Sequence, residues 1–226
     1  MSLIVITGAA RGIGLEMARQ ARARGDTVIA LVRDPASAAL AEVGATALPL
    51  DVADPESFEA LAPRLAEALE GRSVDLAVCN AGVLLGRGGL ATPPTPAQWA
   101  ESLAVNVTGV FLSAMTLLPF LTRPGGKIAV IGSAMGSQAR APGGTYAYRA
   151  SKAAAANVAR NLAADLRAEG IAVGCWHPGW VQTDMGGASA EVTPPDSAAG
   201  LLARFEALSM KTTGVFEDWR GQPVPF

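Results

Sequence analysis

Leu3-Ile4-Val5-Ile6-Thr7-Gly8-Ala9-Ala10-Arg11-Gly12-Ile13-Gly14 is the stretch whose reading decides the fold. Its first five residues are a short β-rich run bounded by Gly8, and residues 15–24 follow with helical periodicity. A strand that turns into a helix through glycines leaves unpaired backbone N–H groups at the helix start, and glycine has no Cβ to hold a phosphate away. Gly8, Gly12 and Gly14, with Arg11 and Ile13 between them, therefore read as the seat of a dinucleotide pyrophosphate. The spacing is TGxxxGxG rather than GxGxxG, so the place of the turn, after a first strand and before a helix, carries more of the reading than the glycines themselves.

Outward from this turn, residues 26–32 form a second strand, and the residue that ends it selects the nicotinamide cofactor. A carboxylate there would take a ribose 2'-hydroxyl, and a cation a 2'-phosphate. Val32 stands in the carboxylate's usual place and Arg33 follows, with Arg11 as a second contact, which favours NADP(H). Asp34 is near enough to reach a ribose and keeps NAD(H) open. A third strand, 46–50, ends at Asp51-Val52, where Asp51 is placed to bond an adenine amino group. Asp54-Pro55 caps a helix running to about residue 70. A fourth strand, 74–79, stops at Asn80-Ala81-Gly82, residues that by themselves suit an ordinary turn.

Residues 83–96 are rich in Gly and Pro and read as loop, and Thr95-Pro96 caps the next helix, 97–121. Asn106 lies inside that apolar stretch and must find partners, so it is either structural or lines a site. A fifth strand, 127–132, delivers Ser133, and residues 136–145 are loop. A sixth strand, 171–177, ends in Pro178-Gly179. Residues 180–195 read as a flexible lid, and a helix over 195–208 and a short strand near residue 215 close the chain. This alternation predicts one α/β domain over residues 1–226, a doubly wound parallel sheet of seven strands ordered 3-2-1-4-5-6-7. Ligands then sit at the strands' carboxyl ends, where Gly8, Arg33, Asp51, Asn80, Ser133, Tyr148 and Pro178 all converge.

Tyr148-Arg149-Ala150-Ser151-Lys152 opens an Ala/Leu-rich run without Gly or Pro up to Arg167, so it starts a long helix. Tyr148 and Lys152 are i and i+4 and share a face. A free phenol titrates near pKa ~10, so general acid/base work near neutrality needs a drop of roughly 3 units, about 4 kcal/mol. A cation in a partly desolvated cleft is the simplest source, and Lys152 is that cation. The other tyrosine, Tyr146, has Ala150 at i+4 and no such partner.

Of the 226 residues, 50% are hydrophobic and 17% charged, and net charge is -2, which fits a compact chain with a heavily buried sheet. No run of Lys or Arg exceeds two neighbours, so neither nucleic acid nor an anionic membrane is expected as partner. The opening apolar run is too short for a signal peptide or a span, which suggests a cytoplasmic protein. Cys79 and Cys175 read as buried reduced thiols, and no Cys/His spacing suits a metal.

TGAARGIG, Asp51-Val52, Asn80-Ala81-Gly82, Asn106, Ser133, YRASK and Pro178-Gly179 with Thr183 occur in that order along essentially the whole chain. Together they resemble the motifs of the short-chain dehydrogenase/reductase family. Within it, the wording around VRDP and HPGWVQTDMGG is most similar to sniffer-type carbonyl reductases and bacterial C-factor proteins. The resemblance implies that Tyr148 passes a proton to or from a substrate oxygen that Ser133 orients and polarises. Lys152 would bind the nicotinamide ribose and depress the phenol, and Asn106 would hold a proton-relay water. It also implies cofactor contacts from Gly8, Arg11, Gly12, Ile13, Gly14, Arg33, Asp51, Val52, Asn80, Ala81, Gly82, Tyr148, Lys152, Pro178, Gly179, Val181 and Thr183.

Ser133 precedes Tyr148 by 15 residues, a longer gap than is usual in the family. The lid and carboxyl terminus are short, which suggests an open pocket lined by residues 83–89, 135–145 and 180–190. The expected activity is NADP(H)-dependent interconversion of a small ketone or aldehyde and its alcohol. The alternative is a C-factor-like signalling or redox-sensing protein that binds the cofactor without turnover. A serine hydrolase fails because Ile131 stands where GxSxG needs glycine, and His177, the sole histidine, reads as structural. The resemblance implies a homodimer or homotetramer, although the small residues after Tyr148 are more simply explained by packing on the sheet.

Overall fold

The strands Leu3–Thr7 (β1), Thr27–Val32 (β2), Thr46–Pro49 (β3), Leu76–Cys79 (β4), Lys127–Ile131 (β5), Ala172–His177 (β6) and Phe216–Asp218 (β7) are parallel neighbours in one sheet ordered β3-β2-β1-β4-β5-β6-β7. This is the doubly wound order expected from the alternation of elements, in a computed structural model that describes residues 1–226. Every residue of β1 is buried. Leu3 and Val5 enter one core layer and Ile4 and Ile6 the other, as in a sheet covered on both faces.

One layer packs under Pro55–Leu69 (α3), the helical segment Pro96–Leu103 (α4) with Gly109–Leu117 (α5), and Tyr146–Asp165 (α6). The other lies under Gly12–Ala23 (α1), Ala38–Val43 (α2) and Pro194–Ala207 (α7). Capping fixes the helix starts: Asp54 accepts from the Glu56 N–H at 3.0 Å, and Thr193 accepts from Asp196 at 3.3 Å. Thr95 and Gln98 satisfy each other's backbone N–H groups reciprocally. At the far edge, Glu217 on β7 accepts from Trp176 Nε1 at 2.9 Å and from Arg204 Nε at 2.6 Å, tying β6, β7 and α7 together.

The structure departs from the sequence reading in four places. Helix α1 begins at Gly12 rather than near residue 15, because the glycine turn is itself the first helical turn. The six-residue α2 had no expected counterpart; it is shorter than two turns, and so too brief for a periodic pattern to show. The helix expected over 97–121 is broken by a π-helical turn, Ala104–Thr108, and ends in a 3-10 turn, Leu118–Phe120. The segment expected to be a flexible lid is hydrogen-bonded to itself. Gln182 and Val192 pair at 2.9 Å, Val192 donates to Trp180 at 2.9 Å, and Trp180 Nε1 donates to Gly186 at 2.8 Å. Cys79 and Cys175 are free and buried, and burial pushes both thiols up to about 12.

Candidate active site

The glycine turn is built by close approach. A Cβ on Gly14 would stand 2.5 Å from Asn80 Nδ2 and 2.6 Å from the Gly8 carbonyl, so α1 can meet the β1 and β4 ends only through glycine. Gly12 differs: at φ +57 a Cβ there would meet nothing nearer than Thr183, at 3.5 Å. No side chain caps α1, whose cap residue is Arg11, and its first turn holds no acid. Uncapped N–H groups, a positive helix end and a bare backbone fit a pyrophosphate. Asn80-Ala81-Gly82 is more than a turn. Asn80 Nδ2 donates to the Thr7 carbonyl at 3.0 Å and to that of Gly8 at 3.2 Å, and the Thr7 hydroxyl accepts from Asn80 N and Ala81 N, each at 3.0 Å.

Beyond Gly82 the wall continues into the groups expected to be catalytic. A Cβ on Gly82 would stand 3.2 Å from Asn106 Oδ1 and 3.4 Å from Lys152 Nζ. Asn106 is fully buried in the π turn. Its Oδ1 accepts from Val83 N at 2.9 Å, while Nδ2 donates to the Val83 carbonyl and to Ser151 Oγ, each at 2.9 Å. Ser151 in turn donates to the Tyr148 carbonyl at 2.8 Å, so Asn106 braces the helix turn that carries Tyr148. Sequence reading passed over Ser151, whose only signal is its place beside Lys152.

Tyr148 and Lys152 are both buried on α6, with Nζ 5.9 Å from the centre of the phenol ring. Lys152 Nζ donates to the Ile131 carbonyl at 2.8 Å, at the end of β5. Burial pushes Lys152 down to about 8. Burial also raises the Tyr148 phenol above its ordinary value, outweighing the Ser133 hydroxyl beside it and the positive charge of Arg87, which lower it. The net depression expected for the phenol is thus absent in the protein alone, because the dry cleft penalises its charged form more than the neighbouring groups favour it. Ser133 reaches this position despite the long gap to Tyr148, since the 3-10 turn Ala134–Gly136 folds the extra residues back onto α6.

The residues expected to select the cofactor are less gathered. Arg33 is exposed and makes no ion pair, whereas Asp34 is turned back to accept from Ala36 N at 3.0 Å. Arg11 pairs with Asp184 at 2.9 Å, a contact exposed on both sides and easily exchanged. Asp51 lies at the end of β3 and accepts from Ala53 N at 3.0 Å, and Val52 packs beside it against the core. From Pro178 the chain arcs over the glycine turn. Gly179 takes φ +89 against Trp219, Val181 is buried, and Thr183 stands beside Gly12. His177 is pushed down to about 4 by burial, and its Nδ1 has no partner.

Residues 2–193 match the short chain dehydrogenase family. The chain is 36% identical over 228 residues to the 1-hydroxy-2-glutathionyl-2-methyl-3-butene dehydrogenase of Rhodococcus sp. strain AD45, covering 98% of each chain. It is 41% identical over 133 residues to the C-signal of Myxococcus xanthus, covering 58% of this chain and 80% of that one. The NADPH-bound carbonyl reductase from chicken fatty liver superposes with a TM-score of 0.90 at 30% identity, over 100% of this chain and 99% of the other. With a family match across most of its length and a full-length relative above one-third identity, the chain belongs to the short-chain dehydrogenase family.

Proposed function

We propose that this protein is an NADP(H)-dependent oxidoreductase that interconverts a small ketone or aldehyde and its alcohol, with Tyr148 as general acid and base. The observation that carries the reading is the meeting of Tyr148, Ser133 and Lys152 at the carboxyl end of β5 in a buried cleft, beside an uncapped glycine turn. NADP(H), when bound, supplies or takes up the hydride. The protein's own residues manage the proton and the oxygen. A phenol raised by burial keeps its proton at neutral pH, which suits the donor in carbonyl reduction. Ser133 offers a second hydrogen bond to the substrate oxygen as negative charge grows there. Lys152, at about 8, is mostly cationic near neutrality and stabilises the phenolate as it forms. Asn106, with its side chain committed to Val83 and Ser151, acts as a positioning residue and leaves a relay water to its main chain.

Cofactor preference rests on Arg33, free and exposed at the end of β2, where Asp34 is engaged with its own turn. Titration with NADPH and NADH, followed by nicotinamide fluorescence, tests it. The parent is expected to bind NADPH about tenfold to a hundredfold more tightly, and Arg33→Ala to remove most of that gap. Equal affinity for both cofactors in the parent would contradict the assignment.

Likeness to the C-signal favours a second reading, a cofactor-binding signalling protein without turnover. The complete Ser, Tyr and Lys set argues against it, since a binding module needs no such proton donor. A second copy of the chain is the proposed partner for α4 and α5, where Leu103, Phe111 and Met115 stay 41%, 43% and 41% exposed.

A further inference from the structure

We propose that the carbonyl substrate carries a carboxylate and that Arg87 binds it; this rests on the oxidoreductase reading above. The segments flanking the cleft on the Tyr148 side, residues 83–89, 135–145 and 180–190, contain three charged side chains, Arg87, Arg140 and Asp184. Asp184 is neutralised by Arg11, while neither Arg87 nor Arg140 belongs to any ion pair. The mouth of the cleft therefore carries uncompensated positive charge in a protein whose net charge is -2.

Arg87 is also held in place. Its Nη2 donates to the Met185 carbonyl across the mouth, and the Gly88 carbonyl beside it accepts from Thr145 N at 3.0 Å. One loop is thus fixed to both of the others, and Thr145, which Gly88 holds, is the cap residue of α6 three positions before Tyr148. Arg140 lies on the 135–145 segment, where its N–H donates to the Ser137 carbonyl at 3.1 Å. Of the other charges near these groups, Asp218 is engaged by the backbone N–H groups of Arg220 and Gln222. Arg149 donates to the Met135 and Arg140 carbonyls. Trp180 and Met185 are exposed on the same rim. An apolar rim with one pre-positioned planar cation suits an oxo acid, whose carboxylate matches the guanidinium fork while its carbonyl faces Tyr148.

The test compares 4-formylbenzoate with its methyl ester as substrates for NADPH-dependent reduction by the parent, Arg87→Met and Arg87→Lys. Binding of benzoate and benzamide to the NADP complex, measured by calorimetry, accompanies it. The parent should prefer the acid by about tenfold to a hundredfold in kcat/KM, and benzoate over benzamide likewise. Arg87→Met should abolish both preferences, and Arg87→Lys should restore part of them. A parent that treats acid and ester alike, or an acid preference that survives Arg87→Met, overturns the proposal. If benzoate is preferred through Arg87 but no carbonyl is reduced, the anion site stands and the oxidoreductase reading fails. If there is neither turnover nor preference, both fail.

Discussion

Tyr148 and Lys152 sit one turn apart on the same helix face, and burial acts on them in opposite senses: it holds the proton on the phenol and loosens the proton on the amine. The pairing was legible because i and i+4 geometry follows from the helix alone. The direction of the phenol's shift was not, because it depends on how dry the cleft is, and burial is a property of the folded chain. His177 offers the clearest test of that dryness. Its folded value, about 4, lies below the ordinary 6.5, so between those values the unfolded chain binds a proton that the fold refuses. Stability is therefore full above pH 6.5 and falls as pH drops towards 4, by up to about 3 kcal/mol. Equilibrium unfolding in urea near neutrality and near the lower end of this window should show a smaller acid loss for His177→Asn than for the parent. Equal losses would place the acid sensitivity on other groups. Arg87 escaped sequence reading altogether, since a single arginine in a Gly-rich loop has no pattern, and only the contact with Met185 gives it a place.

Helix starts were read well at Asp54 and Thr95, where a capping side chain followed by proline marks them. The π turn around Asn106 was not, because it arises from tertiary contacts: a Cβ on Gly109 would stand 2.6 Å from the Val52 carbonyl, so the helix passes tight against the end of β3. The internal pairing of the expected lid was not legible for a related reason. Gly and Pro in residues 180–195 announce irregular backbone, yet pairing of Val181 with Val192 holds that backbone in place. Within the segment Pro96–Phe120 an 18-residue stretch has a mean hydropathy of 1.7, high for a helix with one face on the sheet. Phe111 and Met115 lie one turn apart on its outer face, with Leu103 two turns before Phe111. Covering what remains exposed of these half-buried side chains contributes about 1 kcal/mol each, which favours pairing of two copies through this face. Phe111→Asp should therefore shift the protein to monomer in sedimentation velocity while the parent sediments as a dimer or larger. A parent that is already monomeric, or a variant that sediments like it, would leave this face without that role.

The order of the seven strands followed from the alternation of elements and the right-handed crossover, and the sheet agrees with it strand for strand. The same topology explains why the expected site residues from Gly8 to Thr183 lie on one side of the sheet, since each follows the carboxyl end of a strand or lies in a helix beside it. What lay beyond the sequence is the division of labour among them: Gly14 and Asn80 close the structure, Gly12 leaves backbone open, and Ser151 links Asn106 to Tyr148. The most direct test of the whole is NADPH-dependent carbonyl reduction by Tyr148→Phe, measured beside NADPH binding by fluorescence. The variant should bind NADPH within a few-fold of the parent and lose about 10²–10⁴ in kcat. A variant that reduces the carbonyl as fast as the parent would show that the proton comes from elsewhere.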